Sequence, residues 1–243
     1  MSLRLPPVAE FFPSSLIEWE DHLSAVIALQ GCNYRCPFCH SARLVRPGPP
    51  DREVPWDEVE RVLARRAGWL DGVVVSGGEP TIHAGLGELL EALRALDLPV
   101  KLDTNGSSPA RLEELVRAGL VQHVALDVKA PLDEAAYERA TGRSGALAAV
   151  RESLALLRRG GVSCELRTTI WPVVFDERAL LELARELAWA PAWFLQSFRP
   201  QGCLDPEAER LPPTDPDWLA AVARKCRAVA PGCRVRGETG ASH

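Results

Sequence analysis

Apolar positions along this chain alternate between two rhythms. Short runs rich in β-branched and aliphatic residues at 24–30, 72–76, 99–103, 121–129, 162–170 and 193–198 predict buried strands. Between them, apolar residues recur every three or four positions over 56–69, 85–96, 109–118, 133–140, 145–159 and 176–189, the spacing of helices with one buried face. In 85–96 that stripe is Leu86, Leu89, Leu90, Leu93 and Leu96. Gly119 and Gly160-Gly161 can end helices, and the Pro-rich link Leu211 to Pro216 precedes a last helix over 217–229. Strand followed by helix at this period gives a parallel sheet with right-handed crossovers. Six strands are too few to close an eight-fold barrel. The expected fold is therefore α/β, a partial (β/α)6 barrel with an open parallel sheet and its chemistry at the strands' C-terminal ends. A single domain is expected over 1–243, with 1–23 as an N-terminal segment and 200–243 as a C-terminal helix and tail.

The polar positions inside the strands change this picture. Period-two alternation puts Lys101 and Asp103 on one face, and does the same for Asp127 with Lys129 and for Glu165 with Arg167. The opposite faces carry Val100 and Leu102, then Val124, Leu126 and Val128, then Val162, Cys164 and Leu166, which must pack on helices. The charges therefore point into the barrel, where they are costly unless paired or bound to something polar. Mutual salt bridges in a filled core would satisfy them. Charges on three adjacent strands fit a polar ligand cavity better. His123 shares Asp127's face and could line the same space, whereas His22 and His83 read as structural or exposed.

Composition excludes several classes. A hydrophobic share of 47% with 25% charged residues is that of a globular chain with a full core, and a net charge of −5 makes no electrostatic case for nucleic acid. The N-terminus lacks the apolar run of a signal peptide, and no stretch approaches membrane-spanning length. Seven unevenly spaced cysteines argue against a disulfide framework and for a reducing, cytoplasmic setting.

Cys32, Cys36 and Cys39 fall within eight residues at spacing C-x3-C-x2-C, directly after the first strand, with no fourth cysteine nearby. A cubane iron–sulfur cluster normally takes four thiolates, so three leave one iron open to a substrate or cofactor. The sequence Cys36-Pro-Phe-Cys39-His40 also matches a c-type haem attachment and a thioredoxin-like redox pair, but both leave Cys32 unused. Zinc held by the three Cys and His40 stays open, although neighbouring side chains such as Cys39 and His40 usually diverge. Cys164, Cys203, Cys226 and Cys233 show no ligand spacing. Gly77-Gly78-Glu79-Pro80 follows the strand 72–76. Two glycines there let backbone approach a ligand closely, and Pro80 stiffens the exit.

The triplet, with Phe38 before its last cysteine, resembles the signature of the radical S-adenosylmethionine enzymes. The resemblance implies a [4Fe–4S] cluster on Cys32, Cys36 and Cys39, with S-adenosylmethionine chelating the open iron. It also implies cofactor contacts from Phe38 and from Gly77, Gly78 and Glu79. Asp103-Thr104-Asn105-Gly106 and Asp127-Val128-Lys129 resemble segments of the glycyl-radical activating enzymes. There, Asp103, Thr104, Asp127 and Lys129 would line the cofactor site, with a monovalent cation near the two Asp and the Thr in some members. Arg167 would reach the cofactor's carboxylate, and Gln196 would lie near the adenosyl group. The pattern is most similar to activators of anaerobic ribonucleoside-triphosphate reductase. It implies cleavage of S-adenosylmethionine to a 5′-deoxyadenosyl radical, hydrogen abstraction from a glycine of the partner enzyme, and a flavodoxin or ferredoxin as electron donor. Glu18-Trp-Glu-Asp-His22 departs from the subgroup's Asp-Tyr-Pro-Gly in a segment expected close to the cluster. An enzyme acting on a small molecule, such as a 7-carboxy-7-deazaguanine synthase, and a zinc-binding scaffold are the alternatives.

Overall fold

The structure is a computed structural model that describes residues 5–237. The outermost parts of the expected N-terminal segment and tail, 1–4 and 238–243, lie outside the described residues. One sheet runs β1-β2-β3-β4-β5-β6-β7-β8 in chain order. Strands β2 (Ser24–Leu29), β3 (Gly72–Gly77), β4 (Val100–Thr104), β5 (His123–Asp127), β6 (Ser163–Ile170) and β7 (Trp193–Ser197) are all parallel, and they are the six runs read from the sequence.

Two strands were not expected. β1 (Val8–Ser15) pairs antiparallel with β2, with register shifts at both ends. Its Pro13 removes a ladder donor, which an edge strand tolerates. β8 (Cys233–Val235) pairs parallel with β7 and has three residues, too few to show a period.

Helices α2 (Trp56–Arg66), α3 (Leu86–Ala95), α4 (Pro109–Arg117), α5 (Glu134–Thr141), α6 (Ala146–Arg158), α7 (Glu177–Glu186) and α8 (Pro216–Arg227) follow the predicted stretches, several ending two or three residues sooner; a short α1 (Ala42–Val45) was not predicted. On α3, Leu86, Leu89, Leu90 and Leu93 are fully buried, each contributing about 1.5–3 kcal/mol; Leu96 is only partly buried, at the helix end. Asp133, Asp176 and Asp215 cap α5, α7 and α8 by accepting from the third residue on. Val100, Leu102, Val124, Leu126, Cys164 and Leu166 form the outer, helix-facing side of the sheet and are buried in the core, as the alternation required.

Among the described residues no helix is long and apolar enough to cross a membrane. Residues 18–22 precede β2 and so lie at the barrel end remote from the cysteines. The carbonyl of Glu18 accepts from Lys101 Nζ at 2.6 Å, and Leu23 N–H donates to Asp71 at 2.7 Å, just before β3. The expectation that this segment sits by the cysteine loop is therefore corrected; of its residues, Glu18 alone lines the cavity described below.

Candidate active site

The cysteine loop leaves the C-terminal end of β2 and is pinned on all sides. Gly31 N–H donates to Leu44 O, Arg35 N–H to Thr141 O at the end of α5, and Asp205 N–H to Pro37 O. Gln30 Nε2 donates to the carbonyls of Arg43 and Arg46. A loop held by backbone bonds from three distant segments keeps its thiols in place before anything binds them.

The two glycines at the end of β3 bring backbone against backbone. A Cβ at Gly77 would lie 2.3 Å from Leu29 N and O, and Gly77 has φ +119°; a Cβ at Gly78 would lie 2.0 Å from Gly31 O. The close approach is to the backbone of β2 and the cysteine loop, so these glycines let β3 and that loop touch. Both also line the cavity.

That cavity, of about 600 Å³, opens at the C-terminal ends of the strands. Cys32, Cys36, Phe38 and Cys39 form one wall, and Gly77, Gly78 and Glu79 a second. Asp103, Thr104, Asp127, Lys129, Arg167 and Gln196 complete it, so every site residue read from the sequence meets here. The volume suits a ligand of nucleoside size. Phe38 is buried, its ring centroid 5.2 Å from that of Trp171.

Glu79 is fully buried and accepts four hydrogen bonds: from Thr81 N–H (3.0 Å), Thr81 Oγ1 (2.6 Å), Thr104 Oγ1 (2.8 Å) and Asn105 N–H (2.6 Å). Burial pushes its carboxyl above the usual carboxylate range, against those four donors. Thr104 therefore serves Glu79.

The inward charges form two layers. In the upper layer Arg167 Nη1 lies 2.9 Å from Asp103 Oδ2, Arg167 Nε 2.8 Å from Asp127 Oδ1, and Lys129 Nζ 2.9 Å from Asp127 Oδ2. Burial alone would raise the Asp127 carboxyl, but Arg167 and Lys129 hold it well below the usual range. Burial would likewise lower Lys129, but Asp127 raises it and keeps it charged. In the lower layer Lys101 Nζ lies 2.8 Å from Glu165 Oε1, with His123 Nε2 3.5 Å from Glu165 Oε2. Mutual salt bridging thus satisfies all six charges, and the polar cavity takes only four of them. Lys101 and Glu165 face a separate hollow of about 1010 Å³, with Leu16, Ile17 and Arg234. His123 lines neither space.

Sequence reasoning missed a side-chain chain joining β4 to the cysteine loop. Asn105 Nδ2 donates to Asn33 Oδ1 at 2.9 Å and lies 3.9 Å from Cys32 Sγ, while Asn33 Nδ2 donates to Ser107 Oγ at 2.8 Å. Tyr34 N–H also donates to Cys32 Sγ, at 3.4 Å. The only signal in the sequence was the presence of two Asn, one in each motif; their contact spans 72 positions. Among the described residues, two polar atoms of the cavity lining are buried without a partner, Asp103 Oδ1 and Tyr34 Oη.

The donor set tests what the thiols can hold. Among the described residues no three His, Cys, Asp or Glu side chains close round one ion. His40, the fourth ligand a zinc site would need, turns its Nε2 to Arg199 O at 2.7 Å. Three thiols lining one cavity, with N–H donors already beside Cys32, fit a group with several metal atoms. The other four cysteines are buried. Cys203 lies near enough to Cys39 to feel its charge but does not line the cavity.

Comparison with known proteins agrees with this geometry. The chain is 32% identical over 205 residues, 82% of each chain, to the protein MJ1227 of Methanocaldococcus jannaschii, which carries the name of a glycyl-radical enzyme activating enzyme. It is 33% identical over 201 residues to the 7-carboxy-7-deazaguanine synthase of Hyperthermus butylicus, covering 73% of this chain and 82% of that one. The solved structure of TYW1 with a lysine-pyruvate adduct bound superposes with a TM-score of 0.61 at 18% identity, over 84% of this chain and 73% of that one, a likeness of fold. The profile of the Radical SAM superfamily matches residues 26–184, from inside β2 through the cysteine loop and the paired charges to α7, and the chain belongs to that superfamily.

Proposed function

We propose that this protein is an activase that abstracts hydrogen from a glycine of a partner glycyl-radical enzyme. The observation that carries the reading is the meeting of the three thiols, Glu79 and the Asp103–Arg167–Asp127–Lys129 layer in one cavity. The family implies a [4Fe–4S] cluster and S-adenosylmethionine, and together they supply a one-electron cleavage giving methionine and a 5′-deoxyadenosyl radical.

Cys32, Cys36 and Cys39 would hold the cluster. Phe38 and Gln196 would bound the cofactor's adenosyl side, and the backbone at Gly77 and Gly78 its methionine side. Glu79 orders Thr104 and the Asn105 amide and so fixes the wall the cofactor meets. Asp103 Oδ1 is the free acceptor of that wall and would take an N–H or O–H of the cofactor. Arg167 and Lys129 present positive charge to the cofactor's carboxylate. A monovalent cation finds little room for its charge, because Arg167 and Lys129 already engage Asp103 Oδ2 and both Asp127 oxygens.

The partner is a glycyl-radical enzyme, for which anaerobic ribonucleoside-triphosphate reductase is the specific suggestion, with a flavodoxin or ferredoxin as electron donor. A cytoplasmic setting fits the uneven spacing of the seven cysteines, and a single domain over 1–243 fits the continuous sheet. The relative from Methanocaldococcus jannaschii supports the glycine target. A second reading, action on a small molecule to make a 7-carboxy-7-deazaguanine, is favoured by the Hyperthermus butylicus relative.

The test uses protein reconstituted without oxygen, reduced with dithionite and given S-adenosylmethionine. A [4Fe–4S]+ electron paramagnetic resonance signal that changes on adding the cofactor, with 5′-deoxyadenosine formed, is expected. Deuterium from α-deuterated glycine in a co-expressed glycyl-radical enzyme should then appear in the 5′-deoxyadenosine. Formation of a deazaguanine product without that transfer selects the second reading. A colourless chain carrying one zinc ion overturns both.

A further inference from the structure

The hydroxyl of Tyr34 is the polar atom of the cysteine loop for which the fold supplies no partner. Tyr34 lies between Cys32 and Cys36, its side chain is 1% exposed, and Oη has neither a hydrogen-bond partner nor contact with water. A buried phenol without an acceptor is destabilising, and phenylalanine would pack the same space without that cost. The acceptor must therefore be something the chain alone does not provide.

The surroundings narrow the choice. Glu79 and Cys36 line the same cavity as Tyr34, and both carry acceptor atoms. Glu79 already has four donors. Cys32 Sγ has the N–H of Tyr34 and the amide of Asn105 beside it. Cys36, also buried, has no such donor on its sulfur, and Tyr34 lies two positions before it in the same cavity wall.

We infer that Tyr34 tunes the cluster site: with the cluster bound, its hydroxyl donates a hydrogen bond to the Cys36 thiolate or the adjoining cluster sulfur, raising the cluster's reduction potential. A donor stabilises the more negative, reduced state, so its removal makes reduction harder. Tyr34 is in this sense a positioning residue, acting through the cluster and not on the substrate. The inference rests on the cluster reading above.

The experiment is a mediated redox titration of the reconstituted protein, read by electron paramagnetic resonance, for the natural chain and Tyr34→Phe. The variant's midpoint is expected to fall by about 59 mV, a tenfold drop in the reduced-to-oxidised ratio at fixed ambient potential for one electron. Metal-free Tyr34→Phe should melt no lower than the natural chain. A second measurement covers a variant that fails to load. The chain has two tyrosines, so biosynthetic 3,5-difluorotyrosine, a more acidic phenol, should raise the midpoint in the natural chain and in Tyr137→Phe alike. A cluster whose midpoint ignores both changes overturns the inference and leaves the proposed function standing, as it would if Oη met only a trapped water. A natural chain that assembles no cluster overturns both.

Discussion

Arg167 Nη1 lies 2.9 Å from Asp103 Oδ2, so β6 delivers its cation to the carboxylate of β4 across the intervening β5. Its Nε simultaneously serves Asp127 on β5 at 2.8 Å. One guanidinium thus ties the ends of three strands at the mouth of the cavity, a geometry that a lysine's point charge cannot copy. Breaking a buried pair by removing one partner leaves an uncompensated charge and costs about 3–5 kcal/mol. Arg167→Ala is expected to lower the urea unfolding midpoint of the metal-free chain by that order, and Arg167→Lys to recover only part of it. Arg178→Ala, which breaks the exposed pair with Glu182, should leave the midpoint where it was. An Arg167→Ala chain as stable as the natural one would show that the two carboxylates do not depend on this guanidinium.

The lower layer should set the acid limit of the fold. Burial alone would raise the Glu165 carboxyl, but His123 and the Lys101 ammonium hold it down, to about 2. A carboxyl depressed in the folded state contributes stability above its unfolded value, lost as pH falls through the folded value. From the usual 4.5 to about 2, the contribution is about 3 kcal/mol, disappearing between roughly pH 5 and pH 2. Unfolding midpoints measured over that range should fall steeply for the natural chain and less so for Glu165→Gln. Glu165→Gln should also be the less stable of the two at pH 7, because Lys101 then stays buried without its partner. Parallel pH profiles for the two chains would remove Glu165 from the acid transition.

Much of this was legible in the sequence, and the reasons for the rest are physical. Period-two alternation located six parallel strands and their inward charges because each strand has one face against helices, which enforces the pattern. It could not say which charges would pair: Lys101 and Asp103 lie on one face of one strand, yet Lys101 joins Glu165 in the lower layer and Asp103 joins Arg167 in the upper. β1 carries Pro13, register shifts and exposed Phe12, so no alternation marks it. The Asn105–Asn33 contact depends on how far the β4 loop reaches toward the cysteine loop, a distance that no local pattern encodes.

Gly78 makes a prediction that separates packing from ligand contact. A methyl group there would lie 2.0 Å from the Gly31 carbonyl oxygen and 2.9 Å from that of Leu44, both backbone atoms that cannot swing aside. Gly78→Ala should therefore cost about 1–3 kcal/mol or more in the metal-free chain, with the cysteine loop displaced. Gly119→Ala meets no atom within 4 Å and is strained only by its φ of +66°, so it should cost less. If Gly78→Ala weakened only S-adenosylmethionine binding and left stability intact, the glycine would be there for the cofactor and not for the loop.

Cys36 is expected to divide loading from folding. Its thiol is buried in the core cluster, and among the described residues none donates a hydrogen bond to its sulfur. Cys36→Ala removes one small apolar group, a loss of about 1 kcal/mol, and one of the three thiols proposed to hold the cluster. Circular dichroism should be unchanged, while iron content, the visible absorption of the reconstituted chain and 5′-deoxyadenosine formation all collapse. Cofactor cleavage by Cys36→Ala at the natural rate would take the triplet out of the chemistry.

Glu79 should behave as the organiser of the cavity wall, and its amide analogue shows why. Oε1 accepts from the Thr81 N–H at 3.0 Å and Oε2 from the Asn105 N–H at 2.6 Å. The Thr81 and Thr104 hydroxyls on Oε1 can rotate to accept instead, but a backbone N–H cannot. Glu79→Gln offers one oxygen and one NH2, so either amide orientation sets an NH2 against a backbone donor. An unmet buried donor costs about 1–3 kcal/mol, and the loop carrying Asn105 is the part free to yield. Yielding there would also draw the Asn105 amide away from Asn33 and Cys32. Hydrogen exchange of the Asn105 amide should accelerate in Glu79→Gln, with a lower melting temperature before any metal is added. Unchanged protection of that amide would mean that Asn105 is held by Asn33 and Ser107 alone, and that Glu79 is present only for the ligand.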